Sequence, residues 1–224
     1  MKEDDDMTTR AEQMAKTHQA ILDTARELFL KNGYAATSTR DIANAIGITQ
    51  PALYHHFKDK EVIFLAVITT VGAEIKAGIE EIQARTDWSP LEQLTEVSLL
   101  LTHKHPADVF TLIHSSFKAL KRDHIRELGG IFATDYVKPI QAVFEQPAMQ
   151  LHAGVTPQMA ASFYITSLSP LFNTFHRIGD PHADERTRVQ TLLKMILYGV
   201  AVEPDAQWVL RVSGLTTWVK GCIL

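Results

Sequence analysis

Gln50, Tyr54, His55 and Lys60 fall within a short stretch, and they offer hydrogen bonds and charge rather than a nucleophile with a base beside it. Their chemistry is recognition. Gln50 is the residue here suited to a bidentate contact with an adenine edge, and Arg40, Lys58 and Lys60 bring positive charge for phosphate. Such side chains work only when held on one face, and Ser38–Glu61, STRDIANAIGITQPALYHHFKDKE, has the pattern to hold them. Ser38 followed three residues later by Asp41 reads as a capping box opening a first helix. Ile42, Ala43 and Ile46 give that helix a narrow apolar face, and Gly47 suits the left-handed backbone of a sharp turn. Thr49 caps a second helix that tolerates Pro51 in its first turn. Leu53 and Phe57 point inward at i and i+4, which leaves Gln50, Tyr54 and His55 for the other side. Asp59 caps a third helix beginning at Lys60. The pattern predicts a helix-turn-helix, whose second helix enters the major groove of DNA.

The chain that must position this motif has 224 residues, 46% of them hydrophobic, and a single cysteine, Cys222. An internal disulfide framework and a C-x-x-C metal or redox pair are therefore excluded. The opening MKEDDDMTTR is acidic and lacks an apolar leader, and the apolar runs near 62–71 and 192–202 are interrupted. We expect a soluble cytoplasmic protein with no membrane segment. The net charge of −4 is low for a DNA binder, so the basic face around Arg40, Lys58 and Lys60, preceded by Arg10 and Lys16, is thin. Thin charge predicts modest binding per subunit and a need for dimerisation.

Residues 1–16 read as a flexible arm. From about Thr17 to Asn32, Ile21, Leu22, Ala25, Leu28 and Phe29 mark an amphipathic helix that Gly33 ends, giving a helix-turn-helix domain over 17–60. The remainder, 61–202, is helical throughout. A long helix runs from Lys60 to about Arg85, and Ser89–Pro90 opens another that stops before His105–Pro106. Helices follow at about 107–120 and 123–144, the latter kinked at Gly129–Gly130 and Pro139, then a loop over 146–156. Two strongly apolar helices at 157–177 and 184–202 precede a tail, 203–224. The fold class is all-α.

The run ILDTARELFLKNGYAATSTRDIANAIGITQPALYHHFKDKEVIF resembles the N-terminal domain of TetR/AcrR-type transcriptional repressors. Three features carry the resemblance: A-x-x-L-F-x-x-x-G-Y at Ala25–Tyr34, S-T-R-D-I-A at Ser38–Ala43, and G-I-T-x-x-x-L-Y-x-x-F-x-x-K-E at Gly47–Glu61. It spans about 45 residues; the rest of the chain matches such proteins only in length and helical layout. The resemblance implies a repressor that binds a palindromic operator as a dimer and is released by a ligand. It places Ser38 at a phosphate, with Thr39 and Arg40 near the DNA backbone. Thr49, Gln50, Pro51 and Ala52 would meet base edges, Tyr54 and His55 face the groove, and Lys60 contacts phosphate. Serine at 38 replaces the commoner threonine, and Pro51 departs from the frequent glycine or serine.

The helical body is expected to bind a small effector and to dimerise. Phe110, His114, Phe117, Phe132, Tyr136, Phe163, Phe172 and His176 are the candidate lining, favouring an apolar or aromatic effector. The helices at 157–177 and 184–202 are expected to pair with their copies as a four-helix interface, with Phe172 and Leu193 facing the partner. Ten histidines invite a metal reading, but none stands at i, i+4 and no Glu-x-x-His occurs, so no metal or cofactor is expected. His103, His105 and His124 read as part of a solvated basic face. Enzyme motifs such as G-x-S-x-G, H-E-x-x-H and the phosphate-binding glycine loops are absent. The alternative is a helical metal- or cofactor-dependent sensor or enzyme with the same DNA reader.

Overall fold

The computed structural model describes residues 2–105, 116–172, 180 and 182–198, with side chains from residue 10 onward, and every regular element among them is helical. Helix α1 is Lys2–Asn32. From residue 2 on, the arm expected to be flexible over 1–16 is therefore helical, the first half of α1. No glycine or proline interrupts residues 2–32, and Ala11, Glu12, Gln13, Met14, Ala15 and Lys16 are good helix formers, so backbone propensity extends the helix although residues 10–16 are exposed. Farther along, Ile21, Ala25 and Phe29 are fully buried, and Gly33 ends the helix with φ 84°.

Helix α2 (Thr39–Ala45) packs on α1 and on α3 (Gln50–His56), with Ile42, Ala43, Leu53 and Phe57 buried, and the Phe57 ring after α3 stacks on His18 of α1. Helix α4 (Lys60–Gln83) is common to head and body. Its Phe64 ring meets Phe29 edge-on at 5.2 Å and Tyr34 at 4.8 Å, so the core of the head runs past residue 60. Ile75 and Ile79, farther along, are buried in the body. By length and composition alone α4 could cross a membrane, which the interrupted apolar runs did not suggest. Half of that apolar window is buried inside the protein, as in the central helix of a globular core.

The body continues with α5 (Pro90–Lys104), opened by a capping box between Ser89 and Glu92. Next come α6 (Arg122–Phe132), a π-helical turn over Ala133–Val137, and α7 (Lys138–Phe144). Of the two kinks expected, α6 runs unbroken through Gly129–Gly130, and the irregularity lies at the π turn before Pro139. There the Lys138 N–H reaches back to the Ala133 carbonyl, just before Pro139, which has no N–H to continue the ladder. Helix α8 (Pro157–Ser167) and the short α9 (Ser169–Phe172) divide the single helix expected over 157–177. Pro170 has no N–H to bond the carbonyl four residues back, and the ladder breaks at Leu168, whose N–H turns to the Ile165 carbonyl instead. Helix α10 (Glu185–Tyr198) packs on α5. Leu193, expected to face a partner, is fully buried within the chain. The helix expected at 107–120 and the tail 203–224 lie wholly or mostly outside the described residues.

A polar link joins α8 to α5 inside the body. Tyr164 on α8 is fully buried, and its hydroxyl donates to the Leu94 carbonyl at 3.0 Å and lies 2.7 Å from Ser98 Oγ, both on α5. Burial holds its phenol well above the usual range, so it stays neutral at any ordinary pH. Tyr164→Phe removes the phenol's bonds while Ser98 Oγ keeps its own to the Leu94 carbonyl at 2.8 Å, and chemical denaturation should show a loss of about 1 kcal/mol with an unchanged m-value.

Candidate nucleic-acid interface

The head is built from caps and one turn. Ser38 Oγ accepts the Asp41 N–H at 3.1 Å while Asp41 returns a bond to the Ser38 N–H, closing the capping box; the hydrogen bonds from Ser38 hold the Asp41 carboxyl below its usual range. Gly47 takes φ 73°, where a side chain would be strained, and lets the chain turn into α3. Thr49 accepts the Ala52 N–H, and Pro51 sits in the first turn of α3. Leu53 and Phe57 fill the inner side, with exposures of 0% and 5%. Pro51, Tyr54 and His55 are exposed, and Gln50 and Ala52 are half-buried.

Three of the expected contact residues meet one another. Gln50 Nε2 donates to Thr39 Oγ1 at 2.9 Å, and the Tyr54 hydroxyl lies 3.2 Å from the same oxygen. Gln50 and Tyr54 are also 3.4 Å apart. This triad ties α3 to the start of α2, and Thr39, expected beside a DNA backbone, is buried by it. A two-pronged contact from Gln50 to adenine would require its amide to exchange the bond to Thr39. Ser38 and Arg40 remain exposed beside it.

Lys60 is placed differently from expectation. Its Nζ donates to the carbonyls of Tyr34 and Thr37 at 2.9 and 3.0 Å and lies 4.1 Å above the Tyr34 ring. Burial lowers its pKa, against the opposing pull of Glu61. Thr37, itself buried, donates to the carbonyls of Gly33 and Leu28. The loop between α1 and α2 is thus pinned from both sides, which fixes where Ser38, Thr39 and Arg40 stand. Lys60 is a brace before it is a phosphate contact. Sequence reading passed over Thr37 because a buried threonine that satisfies two helix-end carbonyls carries no spacing signature. It also passed over His18, whose ring stacks on Phe57 at 4.3 Å and lies 6.0 Å from His56. Burial, with His18 and His55 nearby, lowers the pKa of His56.

Residues 21–67 match the family model described as bacterial regulatory proteins, tetR family. The head is a TetR-type domain. The transcriptional regulator AcrR of Shigella flexneri is 38% identical over 92 residues, which cover 41% of this chain and 43% of that relative. QacR of Staphylococcus aureus is 28% identical over 128 residues, 56% of this chain and 68% of its own. The chain thus spans less than half of the AcrR relative. A TetR-family regulator from Agrobacterium tumefaciens superposes with a TM-score of 0.66 at 22% identity, covering 84% of this chain and all of that one, which shows the shared all-helical fold.

Behind the TetR-type head, the candidate effector lining divides. Phe132 stacks on Tyr136 at 5.5 Å, Tyr136 is buried, and its hydroxyl lies 3.2 Å from Nε2 of His105. His105, expected on a solvated face, is 2% exposed, because the chain turns inward where it ends α5; burial and nearby Arg26 push its pKa down to about 4. His103 is exposed as expected, and His124 is half-buried against Glu61. Phe117 and Phe172 are half-buried against the core. Phe163 points away from it and is 59% exposed. Ala161, Tyr164, Ile165 and Leu168 form the inner side, and Phe163 shares the outer side with Gln158, Ser162 and Thr166. Phe110, His114 and His176 lie outside the described residues. Met159, Phe163 and Tyr198 instead border an open apolar groove of about 620 Å³. Among the described residues no group of three or more His, Cys, Asp or Glu is arranged to hold a metal ion.

Proposed function

We propose that this protein is a cytoplasmic DNA-binding transcriptional regulator, a repressor that grips a palindromic operator as a homodimer and releases it when a small apolar or aromatic effector enters the helical body. The observation that carries this reading is the outer side of α3. It leaves Tyr54 and His55 exposed, with Tyr54 held in the Thr39–Gln50–Tyr54 triad, on the second helix of the helix-turn-helix, and this supports a role in the groove. AcrR and QacR are both named as transcriptional regulators, which supports regulation over catalysis. The exposed apolar side chains of Met159, Phe163 and Tyr198 on α8 and α10 support pairing of two copies there, because a patch of this kind marks an association surface. Phe132 and Tyr136 remain the candidates for the effector's apolar contacts.

Selection of duplexes from random DNA, followed by retardation of the enriched sequence on gels, tests the reading. The enriched site should be two-fold symmetric, with half-sites separated by about one turn of DNA or somewhat more. Arg40→Ala should weaken binding evenly across sequences and reduce the salt slope by about one. Gln50→Ala should change base preference at one position in each half-site. Failure to enrich any duplex counts against the reading, and a binding site without symmetry counts against the dimer.

A further inference from the structure

The start of α4 and the start of α6 share one set of charges. Glu61 Oε2 accepts the backbone N–H of Lys121 at 3.1 Å and is bonded to Nδ1 of His124. Lys121 Nζ stands 3.5 Å from Asp59 and 3.6 Å from the other Glu61 oxygen. Asp59 meanwhile accepts the Val62 N–H and caps α4. Helix α6 has no cap of its own, since Lys121 occupies the capping position without a side-chain bond to the helix. The carboxylate that answers its positive end comes from 60 residues upstream, out of the head.

This clasp is partly sheltered, with side-chain exposures of 14% for Glu61 and 22% for His124. Burial alone would raise the Glu61 pKa, but the hydrogen bonds from His124 and the Lys121 N–H outweigh it and hold the carboxyl below its usual range. The same two elements meet again farther along. Gly72 of α4 passes so close to the π turn that a Cβ there would stand 2.8 Å from the Asp135 carboxylate and 3.0 Å from Ile131. Helix α4 and the α6–π segment are therefore joined at two points, and Phe132 and Tyr136 ride on the joined piece.

We propose that Glu61 is a positioning residue for the DNA reader: by capping α6 from α4, it fixes the angle between head and body, so that displacement of α6 is carried into α3. This rests on the DNA-binding reading above, but its test does not. After Cys222→Ser the chain has no cysteine. Asn44→Cys on α2 and Glu127→Cys on α6, both at exposed positions, then accept spin labels that report the head-to-body distance. Diluting labelled into unlabelled chain removes distances between copies.

The parent should give one narrow distribution. Glu61→Ala should widen it at least twofold, and Glu61→Gln should fall between, because an amide oxygen still accepts the Lys121 N–H without the charge. Lys121→Pro deletes that N–H at a residue whose φ of −67° suits proline, and it should widen the distribution as Glu61→Ala does. Widths unchanged in both Glu61→Ala and Lys121→Pro overturn the proposal. On the selected duplex, Glu61→Ala should bind roughly tenfold more weakly. If no duplex is ever selected, the DNA reading fails while the distance measurement still judges the clasp.

Discussion

Lys60→Met lowers the stability of the head by about 2–4 kcal/mol, because it removes two charge-assisted bonds and a cation–π contact while keeping the apolar stem. The carbonyls of Tyr34 and Thr37 lose their partner, and the loop that presents Ser38, Thr39 and Arg40 loosens. DNA affinity falls with it. A phosphate contact and a brace predict opposite signatures. As a brace, Lys60 leaves the salt dependence of DNA binding nearly unchanged while thermal unfolding of the head shifts downward. Were Lys60 chiefly a phosphate contact, the Met variant would keep its melting temperature and lose about one unit of salt slope. Thermal melts beside a salt titration on the selected duplex separate the two, and an unchanged melt rules out the brace.

If α8 forms the proposed dimer face, Phe163→Glu should yield monomers and lower operator affinity by roughly 100-fold, as two linked half-site contacts become independent ones. The side chain is 59% exposed, so a charge there costs the folded monomer little, whereas in a paired interface the carboxylate would be buried without a partner. Leu193 is not equivalent. It is fully buried within the chain, and a charge there would unfold the body rather than divide a dimer. Sedimentation gives the mass and circular dichroism the fold. A folded Phe163→Glu variant that sediments as the parent does would remove α8 from the interface.

The head was legible because its constraints are local. Caps at Ser38, Thr49 and Asp59, the turn at Gly47 and the inward pair Leu53 and Phe57 act within a few residues of sequence, and spacing alone reveals them. A kink at Pro139 is legible because a missing N–H is a local fact, but its form as a π turn, packed where Gly72 lets α4 approach Asp135 and Ile131, is not.

By itself the sequence determined the three-helix reader, the all-helical class and the side of α3 left free. Each follows from hydrogen bonds that close within four residues and from an apolar period with one inner face. Only the tertiary structure decided what those side chains do when the chain is folded. It turned Lys60 onto the loop, drew Thr39 into a triad with Gln50 and Tyr54, sent Phe163 outward and buried His105. The places of Lys60, Thr39 and His105 depend on partners from a separate helix or loop, which leave no periodic trace in the chain, and that of Phe163 on which side of α8 meets the core.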